Sequence, residues 1–205
     1  MPEWCVASSS FTQPANETDR TDYLLASGSL GTGMSHPLDC NVYGVDCGDE
    51  FVLVDAGVGP SAQVIIDHLV ADGIQPERVR RLLLTHGHLD HSGGSRYLRD
   101  TLKLRVCASP ETAEALEIGD TEAISLDKAK AAGGYPPDFP FQSCPVDQRL
   151  TSGEKIFFPE GDCEVLATPG HSHEMLSYIL RTRDSVSLFS GDTLFMGVES
   201  CFRNL

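Results

Sequence analysis

Five of the seven histidines fall in two short segments, His86-Gly87-His88-Leu89-Asp90-His91 and His171-Ser172-His173. Three imidazoles and a carboxylate within six residues are costly as a structural device. Each buried imidazole needs a hydrogen-bond partner and each buried carboxylate a cation. A bound divalent cation meets both needs at once, because neutral imidazole suits zinc, iron and similar metals and the carboxylate neutralises charge. The residues around the motif are small (Gly87, Ser92, Gly93, Gly94), which lets a loop fold tightly around an ion. The first segment also has an echo. Leu82-Leu83-Leu84-Thr85-His86-Gly87-His88 aligns with Val165-Leu166-Ala167-Thr168-Pro169-Gly170-His171, each an apolar run ending in Thr-x-Gly-His. Two strand ends of one design, each presenting a histidine, point to one site served from two places.

Strands and short helices must position these residues. Tyr23–Ala26, Asn41–Asp46 and Phe51–Val54 read as strands, the last two joined by a turn at Cys47-Gly48-Asp49-Glu50. A helix is expected from Pro60 to about Asp72, with Val64, Ile65 and Leu69 on its inner face and Gly73 at its end. Arg81–Thr85 and Leu102–Ala108 are further strands. Ser109 caps a helix beginning at Pro110, and Asp120 another running from Thr121 to Ala132. Tyr135–Pro145, with four prolines, is loop, and four strands follow: Glu154–Phe158, Glu164–Ala167, Leu176–Arg181 and Ser185–Phe189. Residues 1–21 read as a flexible N-terminal arm and 22–205 as one domain.

With these elements in place, His86-x-His88-x-Asp90-His91 resembles the signature of the metallo-β-lactamase-fold hydrolases. Asp55-Ala56-Gly57, Thr168-Pro169-Gly170-His171 and Ser190-Gly191-Asp192-Thr193-Leu194-Phe195 resemble further elements of that family, in the same order along the chain. The resemblance implies an α/β protein, a four-layer αββα sandwich with its metal site where strand ends converge. It implies His86, His88 and His171 as ligands of a first metal, Asp90 and His91 as ligands of a second, and Asp192 as the bridge between them. Asp55 would steady the ligand loop through hydrogen bonds. Two zinc ions are expected, with iron or manganese as alternatives. A metal-bound hydroxide would attack the substrate carbonyl, with Asp90 as the catalytic residue that orients it or relays its proton. Members with two metals supply one more histidine beyond the Gly-Asp-Thr element. None follows it here, so the expectation is a domain lacking the C-terminal part of its second half, with a doubtful second metal site. Only His36, His68 and His173 remain as substitute ligands.

Within this family the sequence looks nearest to glyoxalase II-like members, which implies hydrolysis of an ester, thioester or lactone. A lactonase-like activity is the nearest alternative among hydrolases. A mononuclear iron persulfide dioxygenase-like enzyme needs only two histidines and a carboxylate, here His86, His171 and Asp192. A shortened form with impaired catalysis is the third possibility. Composition narrows the partners. Of 205 residues, 15 are Lys or Arg and 30 Asp or Glu, a formal net charge of −15, which repels phosphate backbones and argues against nucleic acid and against a nuclease. No apolar run is long enough to span a membrane, and no secretory signal is visible, so the expectation is a cytoplasmic protein acting on a small-molecule carbonyl substrate. The seven cysteines, an odd number without a Cys-x-x-Cys, then read as reduced thiols, with Cys40 and Cys47 also weighed as ligand or nucleophile.

Overall fold

The computed structural model describes residues 5–6, 21–60 and 62–194. The backbone of Cys5–Val6 forms a two-residue strand, β1. Strands β2 (Asp22–Ala26), β3 (Val42–Asp46) and β4 (Phe51–Val54) then pair as an antiparallel meander. From β4 onward the first sheet grows by parallel pairing, through β5 (Val79–Leu83), β6 (Arg105–Ala108) and β7 (Gln148–Arg149). The second sheet has the order β1-β11-β10-β9-β8, from β8 (Lys155–Phe158), β9 (Gly161–Ala167), β10 (Leu176–Thr182) and β11 (Val186–Phe189). In it β8 to β11 are antiparallel, and β1 lies parallel to β11.

Alternation along the strands builds two cores. Phe51, Leu53 and Leu82 face one way, toward the helices, while Val52, Val54 and Leu83 face the other, toward the second sheet. Both sets are buried, which is why β4 reads as a continuous apolar run rather than an alternating one. The inter-sheet core adds Val165, Tyr178 and Phe189, together with Cys47, Cys107 and Cys163. The helix-side core takes residues from α1 (Ala62–Ala71), α2 (Leu89–Ser92), α3 (Ser95–Leu102), α4 (Pro110–Ile118) and α5 (Leu126–Ala131). The described residues thus make up helix, sheet and sheet layers of the expected sandwich. No helix among them is long and apolar enough to cross a membrane.

Several elements differ from the sequence expectation, each for a local reason. The inner face of α1 is Ala62, Ile65, Ile66 and Leu69, so Ile66 takes the place expected for Val64. Helix α3 was not expected at all. Only Leu98 and Leu102 mark its inner face, four residues apart, and an Arg96–Asp100 ion pair at 2.6 Å braces the outer one. It occupies the start of the span expected as strand, so β6 begins at Arg105. Helix α5 is half its expected length. Asp120 does accept hydrogen bonds from the amides of Glu122 and Ala123, at 3.0 and 2.9 Å. However, Ile124 and Leu126 are both buried, and a spacing of two does not share a helix face. The chain resolves this at Ser125, whose φ of 58° breaks the helix between them. Helix α4 follows expectation, with Ser109 Oγ accepting from the Thr112 amide at 3.1 Å and Gly119 (φ 77°) ending it. Residues 1–4 and 7–20 of the expected arm lie outside the described residues, as do Cys201 and Phe195.

Two loops are pressed together backbone against backbone. A Cβ on Gly93 would sit 2.4 Å from the Val58 carbonyl oxygen, and one on Gly94 2.1 Å from that of Ala56. The Gly94 amide donates to Gly57 O at 3.0 Å and the Ala56 amide to His91 O at 2.7 Å. Glycine is required there because no side chain fits between the loops. This contact clamps the loop after β4 to the loop after β5.

Candidate metal centre

The residues singled out from the sequence all follow the carboxyl ends of strands. Asp55 follows β4, the His86–His91 segment follows β5, His171 follows β9 and Asp192 follows β11. Strand β4 runs parallel to β5, and β9 runs in the direction of β11, each pair flanking an antiparallel or crossover connection. Loops from both sheets therefore meet at one edge of the sandwich. The Leu176 amide donates to Thr85 O at 2.8 Å, and the buried Tyr178 hydroxyl donates to Leu84 O at 2.6 Å. These two bonds stitch the second sheet to the strand that carries the histidine motif.

Two overlapping groups of donor atoms result. Ligand atoms of His86, His88 and His171 lie within 4.8 Å of one another, and so do those of His86, His91 and Asp192. The two carboxylate oxygens of Asp192 divide between the groups, Oδ1 at 3.2 Å from His91 Nε2 and Oδ2 at 3.4 Å from His171 Nε2. Asp90 Oδ2 stands 3.6 Å from His91 Nε2. All six expected ligands thus converge, with Asp192 between the two groups.

Asp55 sits behind them. Its carboxylate accepts from the Thr85 amide at 2.8 Å and the Thr85 hydroxyl at 2.9 Å, and its Oδ2 lies 2.8 Å from His91 Nδ1. That contact fixes the His91 ring with Nε2 toward Asp90 and Asp192. The geometry requires Asp55 to adopt φ 63°, a left-handed conformation unusual for a residue with a side chain. Thr85 is also the floor for Gly191, where a Cβ would lie 2.7 Å from Thr85 Oγ1. One threonine therefore positions both the Asp55 carboxylate and the turn that presents Asp192.

The donor set fits divalent cations. His86 Nε2 and His91 Nε2 are buried and have no hydrogen-bond partner, although both rings are held from their other nitrogen. Buried imidazole nitrogens without partners are expensive unless an ion completes them. Electrostatics agree. Burial, followed by the neighbouring imidazoles of His91, His88 and His171, holds His86 well below the ordinary histidine range, so it stays neutral and able to ligate. Burial and His171 lower His88 in the same way. Burial opposes charging His91 too, but the surrounding carboxylates of Asp90, Asp55 and Asp192 outweigh it and raise its pKa well above the usual value. Burial would raise Asp192, yet the adjoining His91 imidazole, 3.2 Å away, and the charges of His171 and His88 bring it below the usual carboxylate range. The carboxylate side calls for positive charge, which a proton on His91 or a cation in its place would supply.

Sequence reasoning missed two contributors, Asp39 and Glu174, and weighed a third, Cys40, without placing it at the centre. Buried Asp39 accepts from the amides of Val58 and His36, at 2.8 and 3.0 Å, and so ties the chain before β3 to the loop after β4. Glu174 accepts from the Gly87 amide at 3.5 Å. Cys40, weighed only as a general ligand or nucleophile, has its sulfur within 4.8 Å of ligand atoms of Asp55 and His91. Burial pushes its thiol up to about 12, so it is a neutral thiol rather than an activated nucleophile. The substitute histidines do not join the centre. His68, half-buried on α1, contacts Leu25 O through Nδ1 at 2.6 Å. His173 is exposed, and His36 packs edge-on against Phe139. Among the described residues all five cysteines with side chains are free thiols.

A model of the metallo-beta-lactamase superfamily matches residues 36–203, most of the chain. The chain belongs to the metallo-beta-lactamase superfamily. Among curated proteins it is 28% identical over 135 residues to glyoxylase B2 of Dictyostelium discoideum, covering 66% of this chain and 41% of that protein. It is 30% identical over 156 residues to an atrochrysone carboxyl ACP thioesterase of Aspergillus fumigatus, covering 75% of this chain and 39% of that one. The chain therefore spans about two fifths of the length of these relatives. Over a short stretch of 46 residues it is 46% identical to a hydroxyacylglutathione hydrolase of Neisseria meningitidis, 22% of this chain and 18% of that one. Solved structures of the superfamily share its fold. The HARLDQ-motif metallo-beta-lactamase of Cronobacter sakazakii superposes with a TM-score of 0.66 at 22% identity, over 82% of this chain and 60% of that one. The native FEZ-1 enzyme of Legionella gormanii superposes with 0.67 at 16% identity, over 97% and 68%. The superfamily's fold is thus the fold of this chain, and the six residues expected as ligands meet at one edge of its sandwich.

Proposed function

We propose that this chain carries the catalytic unit of a metal-dependent hydrolase that cleaves an ester, thioester or lactone. The observation that carries the reading is the convergence of six ligand side chains on two buried, unpartnered imidazole nitrogens. Relatives named as a thioesterase and a hydroxyacylglutathione hydrolase support the same reaction class. His86, His88 and His171 would hold one cation, Asp90 and His91 a second, and Asp192 would bridge them, zinc being the favoured metal for such a set. Bound there, the cations would acidify a water and polarise the substrate carbonyl.

The chain's own residues do the rest. Asp55 keeps the His91 ring in register, so the donor faces inward when substrate arrives. The Asp90 side chain is 33% exposed while the histidine beside it is buried, so it reaches the open side of the centre. Its carboxylate orients the attacking water and takes its proton, then returns that proton to the leaving oxygen or sulfur. The acidic balance of the chain disfavours a nucleic acid substrate and leaves a small carbonyl compound as the fitting class.

Elemental analysis of the purified chain, counted per polypeptide, with a parallel assay on thioester and lactone substrates, tests this. Two equivalents of zinc with hydrolysis is the expected result. One iron per chain with sulfur-dependent oxygen uptake would replace it by a dioxygenase using His86, His171 and Asp192. A chain that binds no stoichiometric metal refutes catalysis by this polypeptide.

A further inference from the structure

Beside the metal centre a cleft of about 330 Å³ opens between the ligand loop and the segment leading into α5. Its size is at the small end for ligand pockets, about 300–1,000 Å³, so it suits a short acyl group and not a polymer. His88 and Asp90 line it on the metal side. Leu89, Ile124 and Leu126, which also line it, are almost completely buried and anchored in the helix-side core, so they form a firm apolar floor. The break at Ser125 described above is what presents Ile124 and Leu126 together. Tyr135 closes one wall, its ring packed at a tilt of 57° against Phe139 with centroids 5.0 Å apart. Lys128 lines the same cleft but is exposed, and among the described residues no carboxylate pairs with it. Among the residues that line the cleft Lys128 is the one Lys or Arg, and it stands at the mouth of an otherwise mostly apolar lining.

A ligand that satisfies all three features has its carbonyl at His88 and Asp90, an apolar chain over Ile124 and Leu126, and an anionic group at Lys128. We infer that this cleft binds the acyl part of the substrate, a short aliphatic chain that ends in an anionic group such as a carboxylate or phosphate. The inference deepens the hydrolase reading and rests on it for the position of the carbonyl. Lys128 is then a specificity residue, and substrates lacking the distal charge are bound less well. An exposed ion pair at the upper part of its usual range, about 0.4–1 kcal/mol, is roughly a two- to fivefold change in affinity.

Calorimetric titration of the zinc-loaded full chain with hexanoate, adipate and 6-phosphonohexanoate measures this without any turnover. The expected result is tighter binding of one or both of the doubly anionic compounds, by about two- to fivefold over hexanoate, with the tighter one identifying carboxylate or phosphate as the preferred terminus. K128A should erase that preference and leave hexanoate binding unchanged. K128E should reverse it, and added salt should shrink it. A129W, which fills the cleft, should weaken all three ligands. Equal affinity for the three compounds, or a preference that survives K128A and K128E, overturns the inference. Lys128-dependent binding in a protein that hydrolyses no ester, thioester or lactone would keep this pocket and remove the hydrolase reading. Hydrolysis that proceeds with KM unaffected by K128A for charged and uncharged acyl chains would do the opposite.

Discussion

On one side of the metal centre three imidazoles face one another, with ring centroids 4.6 Å apart for His86 and His88, 4.7 Å for His88 and His171, and 5.2 Å for His86 and His171. On the other side a single imidazole, His91, is surrounded by Asp55, Asp90 and Asp192. In the first cluster His86 and His88 resist protonation, because both are desolvated and face neighbouring imidazoles that repel a second positive charge. The second invites it, because the carboxylates need a counter-charge. The same residue type is thus held neutral at one end and pulled toward the cation at the other, with the ring centroids of His86 and His91 only 4.2 Å apart. The imidazole side supplies neutral donors at no electrostatic cost to a bound metal. The carboxylate side supplies net negative charge, and Asp192 distributes it to both.

The largest effect that would break this comparison is loss of the shared residue. Asp192→Ala should release metal from both halves and take activity to near background, read as metal per chain by elemental analysis. Retention of either metal at full occupancy would show that the halves are independent. Next comes His88→Ala, which should empty the imidazole side and remove nearly all activity while His91, Asp90 and Asp192 remain assembled. Full activity of this variant would break the ligand assignment. Asp55→Asn should act only on the carboxylate side. It leaves the His91 ring free to turn, which should cost about 10–100-fold in affinity for the second metal, measured by competition with a chelator. The same substitution should leave the imidazole site's affinity unchanged.

A smaller effect sharpens the comparison through pH in the metal-free protein. Unfolded His86 and His88 take a proton near the ordinary histidine value of 6.5, while the folded chain resists. The unfolded state binds more protons there, so their contribution to stability is intact above pH 6.5 and is lost as pH falls below it. His91 has the opposite sign. Its folded value is raised, so its contribution is present below pH 6.5 and is lost as pH rises through that elevated value. Thermal midpoints of chelator-treated protein should fall toward pH 5 in the wild type. His86→Asn should flatten that acid slope, whereas Asp55→Asn should leave it in place and change the slope on the alkaline side. The smallest effect is expected for Tyr178→Phe. It removes the hydroxyl that bonds Leu84 O across the sheets and should cost about 1 kcal/mol by denaturant unfolding, with both metals still bound.

The centre was legible in the sequence to an unusual degree, for a physical reason. Its ligands lie in contiguous segments at strand ends, so spacing alone places His86, His88, Asp90 and His91 on one loop. His171 and Asp192 were found because each follows an apolar run and sits among small or turn-forming residues. Asp39 and Cys40 could not be found that way. They reach the centre from a loop before β3 whose path depends on Val58 and Asp90, residues distant in the chain. Helix α3 escaped for a related reason, since two leucines among charged residues are a weak periodic signal and the helix exists chiefly because Leu98 fills the core beside Val106. The shortening of α5 is equally tertiary in origin. Two apolar side chains on either side of Ser125 both have to be buried, and the backbone gives way rather than the packing.

The backbone contact between the Ala56–Val58 and Gly93–Gly94 stretches has a consequence for how such a centre could be redesigned. With peptide groups touching and no side chain between them, the two loops form one mechanical part. A change of ligand type after β5 that needs even one added carbon at either glycine would displace the loop that carries Asp55, and with it the ring of His91. Variation in metal preference is therefore channelled into the side chains that point at the ions, while the path of the chain beneath them stays fixed.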